Sequence, residues 1–252
     1  MRDFLKNHPF AVQAFFKTSV VLTYSAPATE LQKLIPECLT LDTFGNNAFV
    51  AVAMVQTRNL RPRGFPEFMG NNFFLAGYRI FVRYQNLKGK KLRGLYILKS
   101  LTDKKKMEVL GNTFTHYNYS QTDIVVEEVG GCQHFFSAGS GIDVYVEEGT
   151  ENTLLPAGSP FPGWKEARRF AGPLPYTFTF NEQKKEVLII EGVRENWTPQ
   201  PLLVNQAKVS MPEVLKNTHL QLANAFIVKN IPYCWKKGVK ETWKPNEVLS
   251  RA

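Results

Sequence analysis

The sequence lacks most of the features that directly indicate a compartment or a partner. Its three cysteines, Cys38, Cys132 and Cys234, form no CxxC pair, which argues against common zinc and dithiol motifs and predicts free thiols in a reducing compartment. No apolar run approaches the roughly 18 residues of a transmembrane helix. The N-terminal apolar stretch is interrupted by Gln13 and Lys17, unlike a signal peptide. We therefore predict a cytoplasmic protein without a membrane partner.

Signatures of known catalytic chemistry are equally scarce. The chain has no P-loop, no dinucleotide-binding glycine motif and no G-x-S-x-G nucleophile elbow. The four histidines are scattered without metal-ligand spacing. The sequence thus predicts no cofactor and no metal.

Positive charge is in excess, with 31 basic and 22 acidic residues and a formal charge of +9. Such an excess permits attraction to acidic partners. The basic residues are dispersed, however, and the densest run, Arg83 to Lys106, is accompanied by no nucleic-acid-binding motif, so solvated loops and no specific nucleic acid are predicted. Within that run, Lys104 to Lys106 is interpreted as a solvated turn rather than an imine-forming site.

Strand signals dominate the rest of the chain, and its 252 residues predict one domain over 1–252. Runs rich in β-branched and aromatic residues alternate with turn signals. They are 39–44, 48–56, 80–84, 95–98, 124–129, 142–146, 176–180 and 187–190. Short helices are predicted over 27–35, 164–171 and 210–216, the last from a capping-box pattern. The fold class is therefore mainly β (α+β), an antiparallel barrel or sandwich with a few short peripheral helices.

Two groups of polar residues are candidates for a binding site. A strand predicted over 112–120 would place His116 and Asn118 on one face and Tyr119 on the other. That strand is either an ordinary solvent-facing one or the wall of a ligand cavity. Arg79 and Arg83 are four residues apart and share one strand face. A guanidinium inside a barrel needs a carboxylate or an anionic ligand, so a structural salt bridge and a ligand contact are both open.

Several segments in succession resemble a known family. They include LxxLIPxxLxLDTF (31–44), AFVAV (48–52), RNLRPRG (58–64), YRIFVR (78–83), GLYIL (94–98) and VRENWTP (193–199). Their order and spacing resemble the YqjF-like family of uncharacterised bacterial proteins, over roughly residues 15–210, a whole-domain match. That family is related to acetoacetate decarboxylase. The resemblance implies an antiparallel, cone-shaped β-barrel that encloses a cavity.

The decarboxylase mechanism is not implied along with the fold. The enzyme uses a Schiff-base lysine beside a second lysine, and the corresponding positions in this chain hold Tyr119 and Ser120. Neither side chain forms an imine. The family's histidine before the tryptophan is also absent, since Glu195 and Asn196 precede Trp197.

The favoured hypothesis is a small organic molecule, either neutral or anionic, bound in the barrel cavity, whether the protein is an enzyme or not. Arg79, His116, Asn118 and Tyr119 are the predicted ligand-binding residues, and the catalytic residues are unknown. Two alternatives are a non-catalytic module for acidic partners and a lyase that uses an unaligned lysine. The resemblance also implies self-association, without a defined stoichiometry.

Overall fold

A computed structural model describes residues 2–172 and 174–244. Its strands are β1 (Val12–Pro27), β2 (Thr40–Leu41), β3 (Asn47–Pro62), β4 (Asn71–Gln85), β5 (Lys91–Thr102), β6 (Tyr119–Gln121), β7 (Val125–Val129), β8 (Cys132–Ser137), β9 (Ile142–Glu148), β10 (Tyr176–Asn181), β11 (Glu186–Arg194), β12 (Gln200–Val209), β13 (Gln221–Trp235) and β14 (Val239–Thr242). The helices are α1 (Arg2–Leu5), α2 (Ala28–Gln32), α3 (Lys105–Phe114) and α4 (Trp164–Phe170), with 3-10 turns at Glu67–Met69 and Glu213–Leu215.

Seven strands close into a ring in the order β11, β10, β5, β4, β3, β1 and β13. The ring closes because Gly192 to Arg194 of β11 pair with Tyr233 to Trp235 of β13. Neighbouring strands in the ring are antiparallel except β5 and β10, which are parallel. Closure satisfies the backbone hydrogen bonds that an open sheet edge would expose, and it creates an interior.

Both faces of the long ring strands are buried, which explains their near-continuous apolar sequence. In β3, Phe49 and Ala51 point into the ring, whereas Val50 and Val52 point outward into separate apolar clusters. The small alanines at 51 and 53 leave interior space beside the aromatic residues. The prediction of a strand over 48–56 is confirmed.

A second sheet of β12, β9, β8 and β7 covers part of the outer surface of the ring. Its apolar side chains, such as Phe135 and Val144, pack against outward-facing Val52, Phe74 and Tyr78. This contact buries part of the outer face of the ring.

Phenylalanines fill one part of the ring interior. Phe161, from the loop before α4, stacks on Phe49 with ring centroids 5.3 Å apart. Phe170 of α4 lies 4.9 Å from Phe49 and 6.2 Å from Phe81. Contacts between aromatic rings at these distances are stabilising. The loop and α4 therefore close this part of the interior with side chains.

Most of the predicted elements are confirmed, including the mainly β class and the helices near 28 and 164. The capping-box prediction at Ser210 is wrong, because that segment contains a 3-10 turn over Glu213–Leu215 without a side-chain cap. Pro212, the residue before this turn, has an extended backbone conformation instead of a side-chain cap. The cysteines are free, as predicted, and none of the described helices is long and apolar enough to span a bilayer.

The strand predicted over 112–120 is also wrong for most of its length. The segment begins inside α3, and only Tyr119 and Ser120 belong to a strand, β6. Met107 and Gly111 are the buried positions of α3, a spacing of four residues that is typical of one helix face. The tertiary contacts of that face outweigh the threonines, which favour extended structure.

Candidate functional site

Arg79 lies inside the ring, and no acidic side chain of residues 2–172 and 174–244 pairs with it. It projects from the same face of β4 as Phe73, Leu75 and Phe81, which belong to the interior cluster. Its Nε has no hydrogen-bond partner among the described residues. Burial lowers the pKa of Arg79, while the phenols of Tyr233, Tyr119 and Tyr117 raise it and no carboxylate contributes. A cation is thus held in a place where the described part of the chain supplies no negative charge to neutralise it.

Arg83, four residues further along β4 on the same face, has the opposite environment. Its Nη2 lies 2.5 Å from Oδ1 of Asp42, and Nε of Arg93 lies 2.6 Å from Oδ2 of the same carboxylate. Arg93 also donates to the carbonyl of Phe170 at 2.9 Å. Of the two arginines that share this face of β4, Arg83 therefore forms a structural salt bridge and Arg79 does not.

Tyr119 presents an uncommitted hydroxyl near Arg79. Asn112 fixes the Tyr119 backbone, with Oδ1 accepting from N at 2.8 Å and Nδ2 donating to O at 2.9 Å. No hydrogen bond from the described residues reaches the hydroxyl. Burial raises the pKa of Tyr119 to about 12, so the phenol is neutral at pH 7 and can donate a hydrogen bond.

Tyr117 differs from Tyr119 because its hydroxyl is already engaged. It lies 2.7 Å from Oγ1 of Thr177 on β10. Burial also raises the pKa of Tyr117, so this phenol is neutral as well. The Tyr117–Thr177 pair holds the segment before β6 to the ring wall and leaves Tyr119 as the freer donor.

Arg194 and Trp197 add further unpaired donors. The Arg194 Cζ lies 4.5 Å from the centre of the Trp197 ring and 5.5 Å from that of Tyr233. Nη2 of Arg194 and Nε1 of Trp197 have no hydrogen-bond partner among the described residues. Burial lowers the pKa of Arg194 as well. Since all of these atoms are donors, the arrangement suits an acceptor-rich anion.

Three glycines make room for this group of side chains. A Cβ added at Gly77 would lie 2.9 Å from Nε of Arg79, and one at Gly192 would lie within van der Waals overlap of the Tyr233 hydroxyl. A Cβ at Gly111 would overlap the ring of Tyr119 in the same way. Arg79, Tyr119 and Tyr233 therefore each pack closely against the backbone of a glycine, where any side chain would collide with them.

The structure brings together only part of the predicted site. Arg79 and Tyr119 are neighbours in the interior. His116 lines a separate surface depression with Asn181 and Lys240, and exposed Asn118 donates to the carbonyl of Leu98 at 3.2 Å. Asn118 also adopts a φ of 52°, a turn conformation that ends the alternation assumed for a strand.

Sequence reasoning missed four members of the site, namely Tyr117, Arg194, Trp197 and Tyr233. The VRENWTP motif contains two of them, and an arginine three residues before a tryptophan was the available signal. Tyr233 had none, because it is one aromatic residue in a long apolar strand. We refer to Arg79, Tyr117, Tyr119, Arg194, Trp197 and Tyr233 together as the donor cluster.

Lysines are absent from the donor cluster. No lysine is buried in the described parts of the chain, and Lys104 to Lys106 are exposed at the start of α3. The prediction that these three are solvated is confirmed, although they begin a helix rather than form a turn. Within residues 2–172 and 174–244, no three His, Cys, Asp or Glu side chains converge as a metal site.

The ring, its second sheet and its short helices define an acetoacetate decarboxylase-like fold. An acetoacetate decarboxylase from Legionella pneumophila is 11% identical, with a TM-score of 0.62 over 92% of this chain and 88% of that one. An acetoacetate decarboxylase-like enzyme from Sphingomonas wittichii is 11% identical, with a TM-score of 0.53 over 92% of each chain. MppR, an enduracididine biosynthesis enzyme solved with pyruvate, is 9% identical, with a TM-score of 0.57 over 94% and 92%.

Residues 14–225 match the model of DUF2071, a family of uncharacterized conserved proteins. The chain belongs to this family. No curated protein matches it significantly. At identities near 10% the solved structures show a common fold and nothing about the reaction.

Proposed function

We propose that the protein binds a small organic anion inside the ring, with the anionic group held by Arg79 and the hydroxyl of Tyr119. The observation that carries the proposal is the Arg79 guanidinium, buried in the interior without a carboxylate among the described residues. A buried cation without a counter-ion is costly, and a bound anion removes that cost. The anion is a carboxylate or a group of similar shape, which a guanidinium binds through two hydrogen bonds.

The other members of the donor cluster support an anion rather than a cation or a neutral polar molecule. Nη2 of Arg194 and Nε1 of Trp197 are unpaired donors that cannot accept a hydrogen bond, and within the donor cluster only the tyrosine hydroxyls can also accept. A neutral ligand with donors of its own would find few acceptors there. An anion with several oxygen lone pairs satisfies several of these groups at once.

The proposal includes no imine chemistry. The resemblance to the decarboxylase motif implies that Tyr119 and Ser120 stand at the positions of its lysine pair, and the described lysines lie outside the donor cluster. The proposed site therefore holds an anion without the nucleophile of the decarboxylase. If a reaction follows binding, it uses a different group.

A thermal-shift series with matched ligands tests the anion. Acetate, pyruvate, acetoacetate and phenylacetate are expected to raise Tm, whereas the uncharged amides acetamide and phenylacetamide are not. Arg79→Gln should abolish the response to acids. Arg58→Gln is the control, because Arg58 is an exposed arginine on β3, and it should respond as the wild type does. Equal responses to acids and amides, or an unaltered response in Arg79→Gln, would contradict the proposal.

Borohydride reduction in the presence of pyruvate or acetoacetate tests the absence of an imine. We expect no covalent adduct by intact-mass measurement. A reduced adduct mapped to a lysine would show that an unaligned lysine forms a Schiff base after all, and the lyase alternative would then replace a purely non-covalent site.

A further inference from the structure

A cavity of about 250 Å³ adjoins the donor cluster. Tyr117 and Tyr119 line this cavity and also lie within electrostatic reach of Arg79. Tyr117 and Tyr119 therefore belong to both the cavity wall and the surroundings of Arg79, so the cavity begins beside the place where the anionic end is held. The part of the ligand that occupies the cavity therefore determines which anions bind tightly.

The cavity wall is apolar. Met107, Leu110 and Phe114 of α3 form one side, and Val12 and Trp235 form another. A ligand group in contact with these side chains gains by leaving water in proportion to its apolar area.

Arg61 and His8 also belong to the cavity wall. Neither side chain offers a free charge to a ligand. Arg61 is held by its own loop, through Nε to the carbonyl of Phe65 at 2.9 Å and Nη1 to that of Asn59 at 3.0 Å. Its Nη2 is paired with Oε1 of Glu67 at 3.3 Å. His8 is 94% buried, with 6% of its surface exposed. Burial lowers the pKa of His8, so its imidazole is neutral at pH 7.

The volume restricts the size of the group that fits. An apolar cavity of about 150 Å³ holds one benzene molecule. A cavity of about 250 Å³ therefore accepts one aromatic ring with a short linker, or a branched aliphatic group of similar bulk. A two-ring system exceeds it.

We propose that the ligand is a monocarboxylate with an apolar body the size of one aromatic ring, which lies in this cavity beyond Tyr119. The inference rests on the proposed function, since Arg79 must hold the carboxylate. A second carboxylate at the far end of the ligand would enter an apolar wall whose one permanent cation, Arg61, is already engaged. Arylalkanoates thus fit better than small keto acids or dicarboxylates.

Isothermal titration with four acids tests the ligand class. Phenylacetate and 3-phenylpropanoate are expected to bind about 10- to 100-fold more tightly than acetate, as expected for burial of one ring. Succinate should bind no more tightly than acetate. Acetate or succinate with an affinity equal to that of phenylacetate would overturn the proposal.

Variants of Leu110 test whether the aromatic ring of the ligand lies in this cavity. Leu110→Trp fills the cavity and should remove the preference for phenylacetate over acetate, while the affinity for acetate stays within about twofold. Leu110→Ala enlarges the cavity and should shift the preference toward acids with bulkier bodies, such as 2-naphthylacetate. Leu154→Trp is the matched control, because Leu154 is 89% exposed. If Leu110→Trp does not fold, Val12→Phe narrows the cavity from β1.

The outcomes separate this inference from the proposed function. If no acid binds, or if Arg79→Gln binds acids as the wild type does, the anion site itself is wrong. If acids bind through Arg79 but Leu110→Trp keeps the preference for phenylacetate, the anion site stands and the assignment of the cavity is wrong.

Discussion

The guanidinium of Arg79 rests on the backbone of Gly77, two residues earlier on the same strand. A Cβ added at Gly77 would lie 2.9 Å from both Nε and Nη2 of Arg79. Because side chains two residues apart on a strand share a face, only a residue without a side chain lets the long arginine fold back against the ring wall. Gly77 therefore positions Arg79 without contacting a ligand.

Gly77→Ala is expected to displace the guanidinium and to weaken acid binding about tenfold or more. The fold should persist, because the displaced atoms are the end of a flexible side chain. Titration with phenylacetate and urea unfolding measure the two effects separately. Gly163→Ala is the control, since an added Cβ there meets only Oε2 of Glu166 at 3.4 Å. Unchanged affinity in Gly77→Ala would show that the position of Arg79 does not matter for binding.

The two neighbouring tyrosines should separate binding from stability. Tyr119→Phe removes a hydroxyl without a protein partner and should weaken acid binding about 3- to 10-fold with little change in stability. Tyr117→Phe leaves Oγ1 of Thr177 without its 2.7 Å contact and should lower the free energy of unfolding by about 1 kcal/mol. Titration and urea unfolding of both variants measure the two effects. Lower stability in Tyr119→Phe together with weaker acid binding in Tyr117→Phe would refute the prediction.

Asp42 should be a stability determinant rather than a functional group. Its carboxylate is fully buried and is shared by two arginines, so Asp42→Asn leaves two cations facing each other. Because both arginines are partly exposed, we expect a loss of about 2–4 kcal/mol, at or below the usual cost of breaking a buried ion pair. Urea unfolding measures it. Glu37→Gln, in the exposed pair with Lys185, should cost less than about 1 kcal/mol.

The class of fold follows from local patterns that the tertiary structure preserves. The apolar run at 48–56 and the β-branched runs at 142–146 and 187–190 predict strands, and the structure contains them. The helix at Trp164 follows from its apolar spacing. The parallel pairing of β5 with β10 and closure through β11 and β13 depend on contacts far apart in sequence, which short patterns do not contain.

The site is only half predictable for the same reason. Arg79 is conspicuous because an arginine within an apolar strand needs a partner. Asn118 was assigned to a binding face by counting along a strand, and α3 with the turn at Asn118 invalidates that count. Tyr233 reaches the donor cluster from the other end of the chain, a juxtaposition that only ring closure creates.

Buried His8 should make the fold less stable below neutral pH. Burial lowers the pKa of folded His8 from its ordinary 6.5, so the unfolded chain binds the proton more readily. Its contribution to stability is therefore complete above pH 6.5 and is lost as the pH falls from 6.5 toward the lowered value, with a slope of at most about 1.4 kcal/mol per pH unit. His8→Asn preserves the φ of 52°, which asparagine tolerates, and removes the titrating group. Urea unfolding from pH 7.5 to 5 should show that the wild type loses more stability than the variant. Parallel curves for the two proteins would mean that His8 takes up its proton equally well in the folded and unfolded chains.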